Sequence, residues 1–94
     1  MIKYKDKMIR ILKALFPDAK IILFGSRARG DARENSDIDI AIDAGKQVSP
    51  YDIVEAKNIF SEMNIIFKVD VVDYQSVSEI LQKQIDKDGV LWSD

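Results

Sequence analysis

From Asp37 to Ile42 the chain alternates Asp-Ile-Asp-Ile-Ala-Ile, a period of two that fits a strand with one buried face and fits no helix. Ile38, Ile40 and Ile42 share one parity and enter a core. Asp37 and Asp39 share the other and project from it, roughly 7 Å apart along the backbone. Two carboxylates held on one anchored strand repel each other unless a cation lies between them. Hard divalent ions such as Mg²⁺ take oxygen ligands, hold one or two protein carboxylates, and draw the remaining ligands from water and substrate phosphates.

Upstream, Lys20-Ile21-Ile22-Leu23-Phe24 reads as a buried strand stopped by Gly25. Gly25 lets the backbone turn sharply and come close to a ligand. Ser26 suits the start of a short helix, where unpaired N–H groups and the positive end of the helix dipole favour phosphate oxygens. Arg27 and Arg29 add positive charge, and Gly30 with the polar Asp31 to Ser36 stretch makes a return loop into the aspartate strand. Each piece alone is ordinary turn or strand chemistry. A phosphate cradle followed ten residues later by an acidic pair is not, and it suits transfer of a phosphorus-bearing group from a nucleoside triphosphate.

The composition narrows the chemistry further. With no cysteine and no histidine, the 94 residues exclude disulfides, Cys/His zinc sites and histidine acid–base pairs, so catalysis has to run on carboxylates, metal and backbone. The length is that of one domain, residues 1–94, too small for a second substrate-binding module. No membrane span and no charged-then-apolar leader is visible, which points to a cytoplasmic chain. Net charge is −2, but residues 1–33 hold nine Lys/Arg against three Asp/Glu, and residues 34–94 hold five against thirteen. Lys3, Lys5, Lys7, Arg10 and Lys13 read as a solvated helix face. No aromatic residues interleave them as a nucleic-acid stacking platform requires, so no direct nucleic-acid binding is expected.

Helix and strand alternate along the chain. Met8, Ile11, Leu12 and Leu15, with Ile9 and Phe16 beside them, stripe a helix over the first sixteen residues, ended by Pro17-Asp18. The strands at 20–24 and 37–42 follow, then a loop at 44–48. Ser49-Pro50-Tyr51-Asp52 marks a helix start, whose buried side carries Ile53, Ala56, Phe60 and Met63. A strand is predicted over 65–72. Ser76-Val77-Ser78-Glu79 matches a capping box, Ile80, Leu81 and Ile85 stripe a last helix, and Gly89 stops it. Val90-Leu91-Trp92 reads as an apolar tail that closes the core, with a partner contact as the sharper alternative. The order αβαβαβα implies an α/β fold in which one small sheet carries helices packed mainly on one side and leaves the other for substrate.

Gly25-Ser26, Ala28-Arg29-Gly30 and Ser36-Asp37-Ile38-Asp39 together resemble the nucleotidyltransferase superfamily related to DNA polymerase beta. Within it they are most similar to the minimal nucleotidyltransferases encoded beside HEPN-domain toxins. The resemblance runs from the first helix to the last and implies a mixed sheet of the polymerase beta palm type. It implies two Mg²⁺ ions held by Asp37, Asp39 and a third carboxylate on a later strand, and ATP as substrate, with Gly25, Ser26, Arg27 and Arg29 toward its phosphates. It also implies a HEPN-domain toxin as partner, silenced by AMP placed on a tyrosine, which makes the chain an antitoxin. The third carboxylate falls within Phe67–Asp73. Asp70 lies inside that run between valines, where a carboxylate without a cation or hydrogen-bond partner is costly. Asp73 sits where the strand should end and starts a turn, so Asp70 is the choice. The reading from another class is an inert module that neutralises its partner by contact alone, its acidic half docked on a basic surface.

Overall fold

The apolar stripe of the first helix fixes where the core lies. The computed structural model describes residues 4–33, 36–63, 65 and 67–94. Lys3 of the basic face, the 34–35 part of the return loop and Ile66 of the third expected strand lie outside the described residues. In helix α1 (Lys5–Leu15) Met8 and Leu12 are fully buried, while Ile11 and Leu15 pack partly buried against the same cluster. The chain continues as β1 (Lys20–Phe24), α2 (Ser26–Arg29), β2 (Ile38–Asp43), α3 (Pro50–Glu62), β3 (Val69–Asp73), α4 (Glu79–Asp88) and β4 (Val90–Ser93). The four strands form one sheet in the order β3-β2-β1-β4, with β2 and β3 parallel and the other pairs antiparallel. It is the mixed sheet expected.

One face of this sheet is apolar except for the buried Asp73 at the end of β3. Ile21 and Leu23 of β1, Ile38, Ile40 and Ile42 of β2, and Val69 and Val71 of β3 meet Met8, Leu12, Ala56 and Phe60 from α1 and α3. Full burial of an isoleucine or leucine side chain stabilises the fold by about 1.5–3 kcal/mol, so this layer holds the sheet. The opposite face is split. Phe24, Ala41 and Ile22 pack with Ile85 and Leu81 of α4, so α4 covers one end and leaves the end carrying Asp39 open. Among the described residues no helix is long and apolar enough to cross a membrane.

Local signals explain most of the boundaries. The Ser49 hydroxyl accepts from the Tyr51 N–H at 3.3 Å, with Pro50 opening α3 and Asp52 in its first turn, as the sequence reads. At α4 the capping residue is Ser78, which accepts from the Leu81 N–H at 3.2 Å. Ser76, expected as the cap, instead donates to Asp73 at 2.9 Å. Gly89 does end α4, but with φ −65° it is not left-handed; a side chain there would strike the Ile85 carbonyl and Ile22. The expected strand at 65–72 begins only at Val69. Among the described residues its one neighbour in the sheet is β2, whose first residue, Ile38, pairs with Val69, and no ladder partner stands opposite Ile65 or Phe67. Both still pack against the core from outside the strand.

The last segment departs furthest from expectation. Val90-Leu91-Trp92 is part of a fourth strand, antiparallel to β1, so the order is αβαβαβαβ. Trp92 does pack on the core, and the Lys5 ammonium lies 5.7 Å from the centre of its ring. Lys13 donates to the carbonyls of Ala19 and Asp94, both at 2.8 Å. Part of the basic face of α1 therefore fastens this strand, while Lys7 and Arg10 stay exposed.

Candidate active site

Asp39 and Asp70 are brought side by side by strand register. In the parallel pair β2–β3, Asp39 stands opposite Asp70, and parallel neighbours in register share a face about 4.8 Å apart. That face is the one opposite the isoleucines. Asp37 lies one residue ahead of β2, exposed, because β1 ends at Phe24 opposite Asp39 and offers Asp37 no ladder. The strand expected at 37–42 is thus shifted to Ile38–Asp43. Asp37 is still close enough for its charge to act on Asp39. Burial first, then repulsion from Asp70 and Asp37, pushes the Asp39 carboxyl above its usual range, while Arg29 and Lys68 pull it down.

The Gly25 turn is built against the same carboxylate. Gly25 has φ 75° and ψ −158°, a conformation essentially reserved for glycine, and a Cβ there would overlap Asp39 Oδ2. The cradle and the acid thus touch. Ser26 opens α2, and Gly30 closes it in the left-handed conformation with its N–H on the Ser26 carbonyl at 3.0 Å.

A scan against family models matches residues 6–93 to Polymerase beta, Nucleotidyltransferase. The chain belongs to this nucleotidyltransferase family. Among curated relatives, "Probable protein adenylyltransferase MntA" of Haemophilus influenzae is 35% identical over 77 residues, covering 82% of this chain and 68% of that protein. "Protein adenylyltransferase MntA" of Shewanella oneidensis is 33% identical over 93 residues, covering 94% of this chain and 64% of that protein. Among solved structures, a toxin–antitoxin with AMP-PNP matches with TM-score 0.80 and 31% identity over 94% of this chain and 71% of that one. The tri-AMPylated Shewanella oneidensis HEPN toxin in complex with MNT antitoxin matches with TM-score 0.74 and 28% identity, over 94% of this chain and 67% of that one.

For a nucleotidyltransferase, the surroundings of the acids matter as much as the acids. Asp70 Oδ1 lies 3.4 Å from the Lys57 ammonium, an ion pair between α3 and β3 that no local pattern announces. Arg29 pairs with Asp31 at 3.2 Å and reaches Asp88 at the end of α4 at 3.8 Å. Arg27 donates from Nε and Nη2 to the Ser36 carbonyl at 3.2 and 2.9 Å, and its guanidinium stacks 4.4 Å from the Phe67 ring centre. It ties α2 to the residue just before Asp37. Asp73 faces the other way. Buried, it accepts from the Val48 N–H at 2.9 Å, the Gln75 N–H at 3.0 Å and the Ser76 hydroxyl at 2.9 Å.

Among the described residues no three acids already enclose a single point as a ready-made metal cage. A ready-made cage is not what Mg²⁺ needs, since one or two carboxylates plus substrate phosphates suffice. Asp39 and Asp70, adjacent, oxygen-bearing and mutually repelling, with Asp37 beside them, fit that donor set.

Proposed function

We propose that this chain is a Mg²⁺-dependent protein adenylyltransferase of the cytoplasm, formed as one domain, which transfers AMP from ATP to a tyrosine hydroxyl of a HEPN-domain toxin and so acts as its antitoxin. The observation that carries the reading is the in-register pair Asp39 and Asp70 with the Gly25 backbone packed on Asp39. The adenylyltransferase names of the MntA relatives and the AMPylated HEPN toxin bound to an MNT antitoxin support the substrate and the partner.

Asp37 and Asp39 would hold two Mg²⁺ ions, one of them shared with Asp70. When bound, the ions neutralise charge on the triphosphate and acidify the attacking hydroxyl. Ser26 and the N–H groups at the start of α2 hold the β and γ phosphates, with Arg29 offsetting their charge. Arg27 holds the loop that carries Asp37 through its bonds to Ser36. The tyrosine oxygen attacks the α-phosphorus in line, a new P–O bond forms, and the bond to the α–β bridging oxygen breaks. Pyrophosphate leaves and Asp70 takes the hydroxyl proton.

Mass spectrometry of the partner toxin after incubation with ATP and Mg²⁺ tests this. The expected result is one or more AMP adducts, lost in an Asp37→Asn/Asp39→Asn double variant. Adducts formed by that variant would rule out the metal mechanism, and an inhibited but unmodified partner would identify contact-only neutralisation.

A further inference from the structure

A groove of about 520 Å³ opens beside Asp70, between the C-terminal half of α3 and the residues that lead into β3. Lys57, Asn58, Ser61, Phe67 and Lys68 line it together with Asp70. It lies at the rim of the sheet, because β3 is an edge strand. Across the sheet from Gly25 the order is the β1 turn, then Asp39 on β2, then Asp70 on β3, then the groove. In-line displacement places the entering and leaving oxygens on opposite sides of the phosphorus. With the triphosphate over Gly25 and Ser26, the entering oxygen comes from the groove side.

The charges of this groove narrow what enters it. Among the described residues that line it, the cationic side chains are Lys57 and Lys68 and the one acid is Asp70. Lys57 is paired with Asp70. Under the proposed function Asp70 serves the cation and the reacting hydroxyl, which weakens its hold on Lys57 and leaves an ammonium at the wall with hydrogen-bond donors to spare. An acidic side chain entering with the hydroxyl would replace that charge, and Asn58 and Ser61 supply further hydrogen bonds to a peptide.

We propose that this groove is the acceptor subsite and that it selects an acidic peptide segment, a hydroxyl residue flanked by Asp or Glu, through Lys57. This rests on the adenylyltransferase reading above. The hydroxyl oxygen bonds to the α-phosphorus, its proton passes to Asp70, and pyrophosphate departs, as for any acceptor; Lys57 positions the segment and takes no part in bond making.

Transfer of labelled AMP to three short peptides tests it: a tyrosine flanked by glutamates, by glutamines or by lysines. Wild-type protein is expected to favour the glutamate peptide over the glutamine peptide by about fivefold in kcat/KM, the upper scale of a half-exposed ion pair. Lys57→Gln is expected to shrink that ratio to below about twofold, and Lys57→Glu to turn the preference toward the lysine peptide. Ratios are taken within each variant, so a loss of folded protein cancels. Equal labelling of all three peptides by wild type, or an unchanged ratio in Lys57→Gln, overturns the groove assignment while leaving the adenylyltransferase reading intact. No labelling of any peptide or of the partner toxin by wild type overturns both.

Discussion

Replacing Gly25 with alanine puts a methyl group into the one place where the backbone turn and the acid meet. Two effects add. The φ 75°, ψ −158° conformation costs a non-glycine residue about 1–3 kcal/mol. The new Cβ overlaps Asp39 Oδ2 and lies 3.3 Å from Asp39 Cγ, so the carboxylate must leave its rotamer, at about 0.5–1.5 kcal/mol. The sum is about 1.5–4.5 kcal/mol, which lowers the melting temperature of a domain this size by roughly 6–36 °C. A carboxylate displaced by about 1 Å at a reacting centre slows transfer about 100-fold. Gly30 supplies the control. Its φ is also positive, 83°, yet nothing lies within 4 Å of a Cβ built there. Gly30→Ala is therefore expected to lose about 1–2 kcal/mol and to keep its transfer rate within about threefold. Thermal melts and labelled-AMP transfer, run below both melting temperatures, measure the two quantities separately. If Gly25→Ala transfers AMP as fast as Gly30→Ala, the contact between turn and acid is irrelevant to the chemistry and the site is wrongly drawn.

Asp70→Asn is expected to abolish transfer with the melting temperature nearly unchanged, since the Asp70–Lys57 pair is half exposed. Asp73→Ala reverses the pattern, losing about 3 kcal/mol because three donors lose their buried acceptor, while the folded fraction keeps its rate; urea titration and transfer assays separate the two. Asp39→Asn should raise the melting temperature of metal-free protein at neutral pH. The Asp39 pKa is raised on folding, so the native state binds more protons, stability falls as pH rises from the unfolded value through the raised one, and the gain from Asn should vanish below that window. Chelation with EDTA is expected to stop transfer, and Mg²⁺ or Mn²⁺ to restore it; transfer that persists through dialysis against EDTA would contradict the metal reading.

Features set by neighbouring residues were legible in the sequence. The Ile-Ile-Leu-Phe run stopped by glycine reads out β1 to the residue, Ser49-Pro50 marks the start of α3, and the alternation of β2 names the face on which Asp39 stands. The valine run places Asp70 and Asp73 on opposite faces of β3, and the structure has Asp70 beside Asp39 and Asp73 in a turn on the core side. What stayed hidden depends on distant partners. The start of β3 is set by where β2 begins, and β4 is a strand only because β1 lies beside it. Ser76 and Ser78 both fit a cap until Asp73 claims the first. Lys57 belongs to a helix whose exposed side carries no pattern, and only packing of α3 on β3 brings it to Asp70.

The two acids of β3 also guard its alignment. Asp70 and Asp73 are an odd number of residues apart, so they occupy opposite faces of one short rim strand. Sliding β3 past β2 by one place would drive Asp70 into the hydrocarbon layer and strip Asp73 of its three donors. Sliding by two would restore the faces but carry Asp70 about 7 Å from its neighbour and still break the latch at Asp73. A chain that has zipped this strand incorrectly is thus penalised at both ends, and the buried latch proofreads the placement of the exposed acid.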